Sequence, residues 1–187
     1  MPTGSEYLLE DQLRAAFTTF SAGFPREFAY ARERELVSRF VLCDLIPTIM
    51  PAAVLSDVGQ IGIEVAVPQR RDRPHRRPDP DVCKDVVIWS RPGMTCWDES
   101  GRAVYYPQCV IEWKSLNRKD RPATVARKRD REHRDDLDWL RWLVSAAPSA
   151  EGYAVLVDAR FTPIDMTVCR VTAEGESATW FVRGPAA

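Results

Sequence analysis

Glu112 and Lys114 stand two residues apart in a run that is otherwise apolar, Gln108–Leu116 (QCVIEWKSL). Side chains alternate across a sheet, so in a strand these two charges share a face about 6.6 Å apart, and Trp113 points the other way. A carboxylate and an ammonium are costly to bury there unless a specific partner compensates. Lysine is also scarce, 4 residues against 22 arginines, yet this position is Lys. Asp85 adds a second carboxylate at the head of another apolar run, Lys84–Trp89 (KDVVIW), 27 residues before Glu112. A neighbouring strand would bring the two acids together, where they repel and one tends to stay protonated unless a cation joins them. Magnesium, or manganese in its place, suits such a site, because it takes oxygen ligands and keeps several waters. Asp85, Glu112 and the backbone carbonyl of Trp113 would supply the protein's share. Glu33 would add a ligand directly or through water.

These residues require strands side by side and a helix next to them. Residues 5–20 carry Leu9, Leu13, Ala16, Phe17 and Phe20 on one stripe and predict a helix. A second helix is predicted over 26–45, ending before Pro47. Glu33 lies three and four positions before Leu36 and Val37, at the edge of its apolar stripe, whereas Glu35 falls on the wet side. Strands are predicted at 60–67, 84–89 and 108–116, with a hairpin-like excursion over 91–106. A long helix over 122–147 buries Leu137, Leu140, Leu143 and Val144 and is almost wholly charged in its first half. His133 falls on its inward side and is expected to be packed. Three strands over 153–159, 166–172 and 178–182 close the chain. The order predicts an α/β fold, one central mixed β-sheet flanked by helices. It is expected to be a single domain over 1–187, with N-terminal helices at 5–45, a core at 60–160 and C-terminal strands at 165–183.

Composition narrows the class. The 187 residues are 45% hydrophobic, enough for one buried core, and no apolar run approaches the length needed to span a bilayer. No basic-then-apolar leader opens the chain, so a soluble, cytoplasmic protein without a membrane partner is expected. Cys43, Cys83, Cys96, Cys109 and Cys169 form no Cys-x-x-Cys pair, which argues against zinc or a disulfide framework and for buried reduced thiols. Net charge is −1, but 13 of the 26 Lys and Arg fall in two clusters. One holds Arg70, Arg71, Arg73, Arg76 and Arg77. The other runs from Arg118 to Arg134 and includes Arg127 and Lys128. Glu64, in an apolar strand but off any motif, is expected to pair with an arginine.

The stretches KDVVIW (84–89) and CVIEWKSL (109–116), preceded by the Glu-bearing helix ERELVSRF (33–40) and the strand IGIEVAVP (61–68), resemble the PD-(D/E)XK superfamily of restriction-endonuclease-like nucleases. The resemblance spans roughly three fifths of the chain, from Glu33 to about Ala147. The Pro-Asp of the family name occurs here as Pro78-Asp79 and Pro80-Asp81, before the strand. Asp85 therefore takes the acid's role, with Asp81 in reserve. The resemblance implies a restriction-endonuclease-like core and a Mg²⁺- or Mn²⁺-dependent endonuclease acting on nucleic acid, DNA in the first instance. Asp85 and Glu112 would hold the metal, and Lys114 would orient the attacking water and offset transition-state charge. Whether Lys114 also acts as a base depends on opposing influences on its pKa. Both arginine clusters, with Arg127 and Lys128, would contact phosphates. One such centre cuts one strand, so a homodimer would be needed for a double-strand cut. The alternative is a nuclease-fold module that binds nucleic acid or protein without catalysis.

Overall fold

The computed structural model describes residues 4–24, 26–68, 81–161 and 163–183. Helix α1 spans Gly4–Ala22, and a 3₁₀ turn follows over Arg26–Tyr30. Helix α2 occupies 33–49, with a π-helical stretch at Phe40–Leu45 between α-helical Glu33–Arg39 and Ile46–Ile49. Three strands come next: β1 (Ile61–Pro68), β2 (Asp81–Ile88) and β3 (Cys109–Leu116). Helix α3 covers 122–146, again with a π-helical interior, Lys128–Glu132. The chain ends with β4 (Glu151–Asp158), β5 (Asp165–Thr172) and β6 (Gly175–Arg183).

Two helix boundaries differ from the sequence prediction. Helix α2 begins at Glu33 rather than near residue 26, and it passes through Pro47 instead of stopping before it. In a regular α-helix a proline ring clashes with the carbonyl four residues back. Here the wider π turn immediately before Pro47 relieves that contact.

All six strands form one mixed sheet in chain order. Every neighbouring pair is antiparallel except β3–β4, which is parallel and bridged by α3. A parallel connection needs a crossover of this kind. Helices α1 and α2 cover one face, where Trp113 is caged by Phe40, Phe20 and Phe17 at ring separations of 5.0, 5.3 and 6.1 Å. On the same face Arg170 of β5 bridges Glu10 of α1 and Glu151 of β4, tying the helix to the sheet. Helix α3 covers the other face, setting Trp139, Leu140, Leu143 and Val144 on Val87, Val110 and Ala154. The alternation is the predicted one: Trp113 enters the α1/α2 core, and its neighbours Glu112 and Lys114 turn beneath α3.

Gly152 sets how closely α3 approaches. A Cβ there would lie 2.8–2.9 Å from Leu140 Cδ2 and Cβ. Gly152→Ala is expected to lower stability by about 1–3 kcal/mol through overpacking, visible as a drop in the thermal midpoint. No shift would show that the helix is free to lift.

None of the five cysteines is in a disulfide. Cys96, Cys109 and Cys169 are buried as expected, but Cys43 of α2 and Cys83 of β2 are exposed. Among the described residues no helix is long and apolar enough to cross a membrane.

Candidate active site

The site begins where the sheet splits. The β2–β3 ladder runs from Ile88↔Cys109 to Val86↔Ile111 and stops there, while β3 stays paired with β4 through Leu116. N–H groups two apart on a strand point to the same edge, so Trp113 and Ser115 are left with unpaired donors on the side β2 has vacated. Carboxylates take both places. Asp85 Oδ2 accepts from Trp113 N at 2.7 Å, and Glu33 Oε2 accepts from Ser115 N at 2.9 Å. Glu112 Oε2 lies 3.5 Å from Asp85 N across the split. Residues 82 apart in sequence thus meet along one short edge.

Just before the split the pleat of β2 reverses. Val86 and Ile88 enter the α1/α2 core, yet Lys84, two residues earlier, pairs with Val65 and turns to the α3 face. In a regular strand residues two apart share a face. The β1–β2 register skips Glu64 and Asp85, and Glu64 sits at φ 54°, in the left-handed region that disfavours a side chain. Glu64 pairs with Arg34, as the sequence suggested. The reversal carries the Lys84 ammonium to Glu112 Oε1, a buried ion pair with Nζ 4.0 Å from the centroid of the Trp139 ring.

Lys114 is fixed on three sides. Its Nζ donates to the Trp113 carbonyl at 2.7 Å and lies 3.1 Å from Asp136 Oδ2 and 3.6 Å from Glu33 Oε1. Burial alone would lower its pKa, but the carboxylates of Asp136, Glu33, Asp85 and Glu112 outweigh that and push it up. Lys114 is therefore held as an ammonium, a donor and a positive charge rather than a base. Asp85 is pushed up to about 7, first by burial and then by repulsion from Glu112, against the opposing Trp113 N–H and Lys114. Asp136 is also pushed up to about 7, by burial and by Glu112. His133, half-buried one turn before Asp136, has its pKa lowered, first by burial and then by the Lys114 charge.

Asp85, Glu112, Lys114 and Glu33 are thus brought together. Lys84 and Asp136 join them, and sequence reasoning passed over both. The signals existed. Lys84 is another of the four lysines, and Asp136 lies four and seven positions before Leu140 and Leu143 on the inward stripe of α3. The basic residues fall differently. Arg127 is exposed and paired with Glu132, whereas Lys128 turns inward to the Ser115 carbonyl (2.8 Å) and Asp120 (2.9 Å). Arg70, Arg71, Arg73, Arg76, Arg77 and Pro78-Asp79 lie outside the described residues, as does the side chain of Asp81.

Four carboxylates (Glu33, Asp85, Glu112, Asp136) face two ammonium groups, a formal excess of two negative charges. Excess negative charge and oxygen donors are what a hard divalent cation requires. Among the described residues no group of three or more His, Cys, Asp and Glu side chains is placed to hold a metal ion. Set against known proteins, the chain matches no family description, no curated protein and no solved structure.

Proposed function

We propose that this protein is a divalent-metal-dependent nuclease with a restriction-endonuclease-like core, hydrolysing phosphodiester bonds in DNA. The observation that carries the reading is the split between β2 and β3, lined by Asp85, Glu112, Lys114 and Glu33. The order of elements supports it too: Glu-bearing helix, β1, the Asp85 strand, the Glu-x-Lys strand, helix, then a parallel strand.

Asp85 and Glu112 would hold Mg²⁺ or Mn²⁺, whereas the Trp113 carbonyl, expected from the sequence as a further ligand, accepts from the Lys114 ammonium instead. When bound, the metal would polarise the phosphate and lower the pKa of water. Lys114 supplies a fixed positive charge at the scissile phosphate. Glu33 and Asp136 hold its ammonium in place, so little reorganisation is needed as charge develops. Glu33 also pins the strand end through Ser115 N, keeping Lys114 in register with Glu112. Exposed Arg118, Lys119, Arg121, Arg127, Arg131 and Arg134, between the end of β3 and the first half of α3, would meet the phosphates.

Purified protein is expected to cleave DNA with Mg²⁺ or Mn²⁺ and to stop when EDTA is added. Asp85→Asn and Lys114→Met should each slow cleavage by at least about 10²-fold, read as initial rates on labelled duplex and single-stranded substrates. Cleavage that survives chelation, or variants as fast as the native chain, would remove the reading.

A further inference from the structure

We propose that Lys84 is an internal counter-cation that competes with the divalent metal for Glu112, so that metal occupancy requires its ammonium to leave that carboxylate. The inference rests on the metal-site reading above and concerns what limits binding there.

Lys84 and Glu112 are 6% and 4% exposed, so neither charge has water as an alternative partner. A buried ion pair is a poor source of stability compared with apolar residues of the same volume, so its presence calls for another explanation. Reaching this position also requires the pleat to reverse opposite a left-handed, non-glycine Glu64. A regular strand would have pointed residue 84 into the α1/α2 core and left Glu112 without its ion-pair partner. The strand geometry thus delivers a positive charge onto the carboxylate that a metal would need.

Two cations on one desolvated carboxylate repel strongly, since little water screens them. The structure offers the displaced ammonium another place. Nζ already lies over the Trp139 ring, whose face attracts a cation, and Asp136 of the same helix feels the Lys84 charge. A small swing of the lysine would keep it on the indole face while freeing Glu112 Oε1. Lys84 therefore tunes metal affinity through Glu112, a positioning role without contact to substrate.

The test is Mn²⁺ titration by calorimetry on the native chain and on Lys84→Met, which keeps the length and removes the charge. The variant is expected to bind about tenfold tighter or better. Mg²⁺ titration followed by tryptophan emission supplies a second readout, independent of any change at residue 84. The native chain should show a change that is lost in Trp139→Phe, because the ammonium shifts across the indole face as it leaves Glu112. If Lys84→Met does not fold, this emission comparison decides. Equal or weaker Mn²⁺ binding by a folded Lys84→Met would overturn the competition. So would an Mg²⁺ response that persists unchanged in Trp139→Phe. If neither the native chain nor Lys84→Met binds metal, the metal-site reading itself falls and takes the inference with it.

Discussion

Replacing Glu112 with glutamine is expected to slow metal-dependent cleavage by at least about 10²-fold. The amide keeps the volume and an acceptor oxygen, but it removes one of the two carboxylates assigned to the cation. The same change strands the Lys84 ammonium, which is buried against Trp139 with Glu112 as its ion-pair partner. Breaking a buried pair from one side costs about 3–5 kcal/mol, so a lower thermal midpoint accompanies the lost activity. The two effects separate in the double variant. Lys84→Met with Glu112→Gln removes both charges together and is expected to recover most of the stability and none of the cleavage. If the double variant recovers cleavage as well, the defect was one of folding and Glu112 has no role in the chemistry.

The second large effect is on stability as a function of pH. Asp85 and Asp136 each have a carboxyl pKa pushed up to about 7 from 3.8. Their folded-state values lie above the unfolded ones, so the native chain binds more protons than the unfolded chain between about pH 4 and 7. Stability from these groups is therefore fully present below about pH 4 and is lost as pH rises through 7. At about 1.4 kcal/mol per pKa unit, Asp85 alone accounts for up to about 4 kcal/mol. Thermal melts without metal should show a midpoint that falls from pH 5 to 8. Saturating Mg²⁺ should flatten that fall, because the cation replaces the protons that the acids would otherwise need. Asp85→Asn should remove part of the slope and most of the Mg²⁺ effect. A midpoint that rises over this window, or one that Mg²⁺ leaves unchanged, would contradict the electrostatics described for the site.

How far the sequence foretold this arrangement depends on the kind of signal. Glu112 and Lys114 were legible because a period-two strand fixes their common face, and an apolar strand makes any charge conspicuous. Glu33 was legible from its place three and four positions before Leu36 and Val37, and α2 does deliver its carboxylate to the edge of β3. Asp85 was legible as the polar head of an apolar run. Strand alternation misled at Lys84. It places residues 84 and 86 on one face, whereas the backbone reverses at Asp85 opposite a positive φ that Glu64 does not advertise. A glycine at 64 would have hinted at it. Asp136 was hidden for the opposite reason, as one acid among many in a helix half that reads as solvated. Only its alignment with Leu140 and Leu143 sets it apart. Lysine usage was the better guide. In a chain that otherwise uses arginine, Lys84, Lys114 and Lys128 all have compact ammoniums turned inward onto carboxylates.

The α2 boundary shows a limit of another kind. Pro47 is a strong stop signal in sequence, but a π-helical turn ahead of it lets the helix continue to Ile49. Such turns arise from packing in three dimensions and leave no periodic trace.

That one divalent cation sits between Asp85 and Glu112 is tested most directly by calorimetric Mn²⁺ titration of the native chain beside Asp85→Asn. One ion per chain is expected for the native protein, with little or no binding left in the variant at millimolar Mn²⁺. A native chain that takes up no Mn²⁺ at millimolar concentration, or an Asp85→Asn chain that binds it equally well, would mean that these acids serve the fold and not a metal.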